Sequence, residues 1–397
     1  LVIGLFLTAM GGGSFLSKFI RGNLLAWLAG GELAVGVVGG FMALLGFVAF
    51  TYSNIYVPVL LGTVAVVGIL VGLEIPLLVR ILRDVLELRI TLSHVLSADY
   101  LGALVASLIF PFLLLPHVGL VQAGFLMGLM NVVVAGIVVW RFRRHMRRAG
   151  RVLIPVSASA ALLLGAGVFG SGALVSHMEN RLYQDEIIYA CDTPYQRLIL
   201  TRWRDDVRLF LDGHLQFSSV DEYRYHESLV VPAMELAGRG ERVLILGGGD
   251  GFAAREVLKY ERVRRVDVVD IDPTVTDLFS TRRMLTRLND NSLNNPRVHV
   301  HNADAMQHLE ETDHLYDVIL MDLPDPGAAG LGKLYSRAFF QLVRRRLAPG
   351  GTLATQATSP FRSREAFWCI VHTMRDAMAG DSPAGPLAVH PYHTLVP

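Results

Sequence analysis

The stretch that decides the fold is VLILGGGDGFAAREVLKY, residues 243–260. An apolar run of strand length meets three glycines, an aspartate and a fourth glycine, then passes into a helical pattern. Glycines between a strand and a helix let backbone N–H groups approach a bound nucleotide closely. Asp250 is the odd member of the loop, because a carboxylate there would repel a phosphate.

From this loop the pattern extends towards the C-terminus as alternating strands and helices. RVLIL is followed by AAREVLKY, then RVDVVDI and a helix after Pro273; RVHVHNAD, YDVILMDL and GTLATQA supply three more strands. The strand runs are apolar with little alternation, as in a sheet buried on both faces. Strand–helix alternation predicts a doubly wound parallel sheet, a Rossmann-like α/β domain over 241–397, with its ligand at the carboxyl ends of the strands. Ahead of it, RLILTRW and VRLFLDGHLQFSS read as strands joined at a turn over LDG, which predicts a small β-rich cap over 179–240.

Each strand end carries an acid. Asp250 follows the first strand. Asp270, about 20 residues past the glycines, stands where an acid usually accepts hydrogen bonds from a ribose diol. Asp304 follows the third strand; Asp322 and Asp325 follow the fourth. A single Asp in such a place commonly caps the next helix, but four acidic strand ends in succession are hard to explain by capping. They disfavour a pyrophosphate and suit a cationic ligand that carries an adenosine, such as an S-adenosyl sulfonium compound.

The first half of the chain is different. Residues 1–178 hold only 16 of the 71 charged side chains (36 basic and 35 acidic), and mean hydropathy over the chain is +0.43. Apolar runs at 1–16, 24–50, 55–79, 95–115, 119–140 and 152–175 approach the roughly 20 residues of a bilayer span. This predicts a multi-pass helical membrane domain of about six spans over 1–178. There are too many runs for a cleavable signal peptide. Lys18/Arg21, Arg80/Arg83/Arg89 and RFRRHMRR at 141–148 fall in alternate loops, which the positive-inside rule places in the cytoplasm; the loops near Thr51–Asn54 and Pro116–Gly119 carry no Lys or Arg. If 152–175 crosses, the soluble half lies on the opposite face; if that Ala-, Gly- and Ser-rich segment is re-entrant or interfacial, it does not. Glu32, Glu74 and Asp99 lie in or beside apolar runs, either on a polyamine or proton path or paired with Arg or backbone groups at helix ends. The net charge of +1 gives no hint of a nucleic-acid partner, and Cys191 and Cys369 are too few for a disulfide framework or a thiolate metal site.

In order along the chain, LDGHLQFSSVDEYRYHE, VLILGGGDGFAAREVLKY, VVDIDP, NADA, YDVILMDLPDP and TQATSPF resemble the polyamine aminopropyltransferases (spermidine synthases) over about 190–397. With its hydrophobic first half, the chain resembles the membrane-attached bacterial branch of that family. The resemblance implies transfer of the aminopropyl group of decarboxylated S-adenosylmethionine to putrescine, giving spermidine and methylthioadenosine. It implies no metal and no tightly bound cofactor, the decarboxylated donor as co-substrate, and a homodimer anchored among membrane lipids. Residue by residue, Gln196 and Gln216 would line the donor site, with Gly247, Gly248, Gly249 and Gly251 as its backbone cradle. Tyr225 and His226 would border the polyamine, and Asp250 would hold the donor's ammonium. Asp270, with Asp272 close by, would hold the ribose, and Asp304 and Ala305 would contact the adenine. Asp322 would accept the proton, Asp325 would help bind the diamine, and Gln356 would lie at the pocket floor.

Two departures from the family pattern stand out. Asp270 replaces the usual Glu of the ribose motif, and Leu323–Pro324 replace the more common Ser or Thr between the two loop acids. The family also continues beyond HTLVP into a strand, and the chain opens on Leu1; both suggest a fragment. A methyltransferase shares this sheet, and a membrane transporter or sensor could carry an inactive transferase domain. The donor's α-carboxylate near Asp250 argues against the first, and the full set of pocket acids against the second.

Overall fold

The computed structural model describes residues 1–52, 55–83, 88–183, 185–327, 329–379 and 387–394. Part of the 51–54 loop and the end of HTLVP lie outside the described residues. The chain divides into two units, Leu1–Glu186 and Ile187–Pro397.

The first unit is helical. Its helices are α1 (Val2–Leu16), α2 (Leu24–Tyr52), α3 (Tyr56–Leu82), α4 (Leu88–Ile109), the single turn α5 (Leu115–Val118), α6 (Leu120–Phe142) and α7 (Arg147–Leu182). Among the described residues, six segments are long and apolar enough to cross a membrane, each matching one of the runs read from the sequence. With no water to satisfy exposed peptide groups in a bilayer, a continuous helix is the form such runs must take. Small residues set the spacing: Gly36 and Gly40 on α2 meet Gly128 on α6 so closely that an added β-carbon would strike the facing backbone or side chains. The segment 152–175 lies inside the uninterrupted 36-residue α7. At 1.5 Å per residue that helix is about 54 Å long, enough to cross, so nothing in it marks a re-entrant turn. Arg80 donates to the Ser17 and Ile20 carbonyls rather than to an intramembrane acid.

The second unit opens with a four-stranded sheet in the order β1 (Glu186–Asp192), β2 (Arg197–Trp203), β3 (Asp206–Leu211) and β4 (His214–Ser218). Asp212 and Gly213 both have positive φ. They form the two-residue turn of the β3–β4 hairpin, which Asp-Gly favours because both positions need the left-handed region.

Helix α8 (Glu222–Leu236) leads into β5 (Arg242–Gly247), α9 (Phe252–Leu258), β6 (Arg265–Asp270), α10 (Pro273–Thr281), α11 (Arg283–Leu288), β7 (Val298–Asn302), α12 (Ala305–Glu311), β8 (Tyr316–Asp322), α13 (Ala329–Gly332), α14 (Arg337–Arg345), β9 (Leu347–Thr355) and α15 (Arg364–Met378). The five strands are parallel, in the order β7-β6-β5-β8-β9. Side chains alternate across them. Val243, Ile245, Val266, Val268, Val318 and Leu320 pack with Phe252, Phe279 and the cap residues Leu198, Leu200 and Phe217. Leu244, Leu246, Val269, Ile319 and Met321 pack with Leu309, Phe339, Phe340 and Ile370. Both faces are therefore covered, which is why the strands read as unbroken apolar runs. The strand order reverses between β5 and β8, and in doubly wound sheets ligands bind outside the carboxyl ends at such a switch point.

Candidate active site

Parallel register brings the acids together. Gly247 pairs with Asp322 across β5 and β8. A β-carbon at Gly247, whose φ is +83°, would collide with the Asp322 carbonyl oxygen, so only glycine lets the two backbones approach. Asp322 Oδ1 accepts the Tyr225 hydroxyl at 2.8 Å, and its Oδ2 lies 3.8 Å from His226 Nε2. Burial, and then the Asp322 charge, push the Tyr225 hydroxyl well above its ordinary range, so it stays a donor.

Asp250 lies at the same switch point. Its Oδ1 accepts the Phe252 N–H at 3.1 Å, and Asn289 donates to its carbonyl at 2.8 Å. The helix-starting position is Gly251, not Asp250, so the loop carboxylate spends one oxygen on the turn and makes no described hydrogen bond with the other. Burial pushes its carboxyl up to about 7, with Asp322 and Asp270 adding to the rise and His226 and the Phe252 N–H opposing it. Ligand atoms of His226, Asp250 and Asp322 lie within 4.8 Å of one another, a spacing that would accommodate an ammonium or a metal ion.

Asp270 stands at the end of β6 and is tied inward. Its Oδ2 accepts the Gly249 N–H and its Oδ1 the Asp272 N–H, both at 2.9 Å. Each oxygen keeps a further lone pair able to accept a hydrogen bond. Burial raises this carboxyl, while the same two N–H groups lower it. A β-carbon at Gly249 would sit 2.5 Å from Asp270 Oδ2. Gly249→Ala is therefore expected to displace the Asp270 carboxylate and cost about 1–3 kcal/mol, read as a lower midpoint of thermal unfolding and weaker methylthioadenosine binding.

Asp272 and Asp304 do cap helices. Asp272 Oδ1 accepts the Thr274 N–H, and its Oδ2 accepts the Thr193 hydroxyl at 2.8 Å and the Gln196 amide at 3.1 Å. Gln196 is thereby fastened beside the β6 end. Asp304 accepts from the Met306 and Gln307 N–H groups and from Lys333 Nζ at 2.6 Å. Burial opposes ionisation of Asp304, but Lys333 and the cap together hold its carboxyl below the usual range. Ala305 is buried in the core beside Leu309.

The loop after β8 is pinned. Tyr335 donates to the Leu323 and Pro324 carbonyls, and the Gln356 amide donates to the Leu323 carbonyl. Burial raises the Asp325 carboxyl, against the lowering effect of Gln356 and His214. Tyr225, Asp325 and Gln356 line one cleft of about 870 Å³, together with Phe361 and Tyr392, a volume typical of small-molecule sites.

The sequence matches the description of a spermine/spermidine synthase domain over residues 222–394. A polyamine aminopropyltransferase of Leptospira interrogans is 45% identical over 94% of this chain and 75% of its own length. Polyamine aminopropyltransferase 2 of Ralstonia nicotianae is 44% identical over 100% and 77%. The chain belongs to the polyamine aminopropyltransferase family. A spermidine synthase solved with the transition-state analogue AdoDATO is 28% identical, with a TM-score of 0.46 over 49% of this chain and 65% of that one.

In this aminopropyltransferase, Gln216 does not join the cluster through any described hydrogen bond. It is exposed on β4, and its amide turns back to the His214 carbonyl at 3.3 Å. Glu222 and Arg255 adjoin this cluster and were not singled out from the sequence. Glu222 accepts from His226 Nδ1 at 2.8 Å and pairs with Arg255 at 2.8 Å, and all three side chains are nearly buried. Reading 222–236 as a helix would have shown Glu222 and His226 one turn apart on one face.

Proposed function

We propose that this aminopropyltransferase moves the aminopropyl group of decarboxylated S-adenosylmethionine to putrescine, giving spermidine and methylthioadenosine. The observation that carries the reading is the convergence of Asp250 and Asp322 on one crevice, with Asp325 on the adjoining cleft. The donor's sulfonium makes its neighbouring carbon an electrophile, and the thioether leaves neutral. The acceptor amine, with a pKa near that of Lys, must lose a proton, at a cost of roughly 4–5 kcal/mol at neutral pH. Tyr225 holds Asp322 Oδ1, while Oδ2 lies 3.8 Å from His226 Nε2; in this reading Oδ2 takes that proton as the nitrogen attacks. Asp250 holds the donor's ammonium, Asp270 the ribose and Asp325 the far ammonium of the diamine. Gln196, Gln216, Asp304 and Ala305 border the donor, and Gln356 shapes the floor.

The test is transfer by the full chain from a labelled decarboxylated donor to putrescine, cadaverine, agmatine or spermidine. Putrescine should be preferred, and transfer only to another amine would overturn the choice of acceptor.

We also place the catalytic unit on the cytoplasmic face, where the donor is made, with the helical unit as its membrane anchor. The basic loops favour the opposite face if α7 completes its crossing. A reporter fused after Asn180 is expected to be active only as a cytoplasmic fusion. Activity of a periplasm-dependent reporter there would reverse the placement.

A further inference from the structure

His226 is 2% exposed and lies between two kinds of acceptor. On one side, Nδ1 meets the Glu222 backbone carbonyl at 2.9 Å and the Glu222 carboxylate at 2.8 Å. Neither can donate when Glu222 is ionised, so Nδ1 carries a proton. On the other side, Nε2 faces Asp322 at 3.8 Å, with Asp250 in the same cluster. A proton on Nε2 would place a cation between those two carboxylates. The groups facing the ring are Glu222 and Tyr225 from α8, Asp250 from the loop after β5, Asp322 from β8, and Arg255 from α9 through Glu222. Phe252 closes its remaining side at a centroid distance of 5.2 Å.

We propose that His226, held by Glu222, is the resident counter-cation of the empty site, and that it gives up its Nε2 proton to solvent when the substrate ammonium enters. This rests on the polyamine reading of the site. The exchange is balanced: one proton leaves as one positive charge arrives, so the carboxylates keep a partner throughout. It leaves a neutral imidazole with Nδ1–H on Glu222 and the Nε2 lone pair towards the entering nitrogen. Burial of the ring opposes its charge, but Glu222, Asp250 and Asp322 together raise His226 to about 9, so the empty site carries the imidazolium at neutral pH. Glu222 is a positioning residue in this scheme. It fixes the tautomer and supplies much of the charge that keeps the second proton on.

The measurement is calorimetric titration of putrescine into the full chain saturated with methylthioadenosine, at pH 7.5, in buffers of different ionisation enthalpy. The slope of heat against buffer enthalpy counts protons. Close to one proton should be released per diamine bound by the unmodified protein, and diamine affinity should climb several-fold per pH unit between 7 and 8.5. Glu222→Gln and His226→Gln should each bring the count towards zero and flatten that climb. Binding and transfer by the unmodified protein with no proton released would overturn this inference alone, as would an unchanged count in His226→Gln. Absence of diamine binding and of transfer would overturn the polyamine reading and this inference with it.

Discussion

Asp322→Asn is expected to lose about a hundredfold to ten-thousandfold in turnover, the usual contribution of a positioned proton acceptor, while still binding methylthioadenosine. The two effects separate because the carboxylate has two jobs. Its Oδ1 accepts the Tyr225 hydroxyl at 2.8 Å, and an amide oxygen can do the same, so the wall of the crevice should survive. In the proposed mechanism its Oδ2 takes the proton, which an amide nitrogen cannot do. Single-turnover rates with a saturating decarboxylated donor, beside a methylthioadenosine titration, measure both. Turnover within a few-fold of the unmodified enzyme would remove Asp322 as the base.

Asp250→Asn should weaken the decarboxylated donor by about 1.5–3 kcal/mol, the range of a hydrogen bond to a charged group, or roughly tenfold to a hundredfold in affinity. S-Adenosylmethionine binding should hold or improve. The decarboxylated compound presents an ammonium at that end of the ligand, whereas the parent also presents a carboxylate that Asp250 repels. The amide oxygen of Asn can still accept the Phe252 N–H, so the turn into α9 should persist and stability should barely move. Because burial pushes the Asp250 carboxyl up to about 7, donor affinity should also fall as pH drops below that value and the carboxyl takes a proton. That slope should vanish in the variant. Titration of both ligands into both proteins decides the matter, and an unchanged ratio of affinities would sink the assignment.

Much of this protein could be read directly from its sequence. The strands are runs such as VLIL and DVIL, because a parallel sheet covered on both faces admits apolar side chains on both. The long apolar helices are equally plain, because runs of about 20 uncharged residues stand out from the charged half of the chain. Asp-Gly at 212–213 marked a hairpin because few other pairs take two positive φ angles cheaply. The acids at the strand ends were visible because a doubly wound sheet gathers its carboxyl ends at one edge.

Tertiary structure decided how each acid is used. Asp272 and Asp304 cap helices, Asp270 is bound by the Gly249 and Asp272 amides, and Asp250 and Asp322 each use Oδ1 in a described hydrogen bond and Oδ2 in none. One-dimensional spacing could not separate these roles, since each is an Asp after a strand. What distinguishes them is which N–H groups point at which oxygen, and that depends on strands far apart in the chain. The same holds for His226. Its neighbour Glu222 is local, but the carboxylates it faces come from the loop after β5 and from the end of β8, about 25 and 95 residues away along the chain. Only parallel pairing of those strands brings a buried imidazole, two carboxylates and their counter-charges within reach of one another, and burial then makes their mutual charge strong enough to matter.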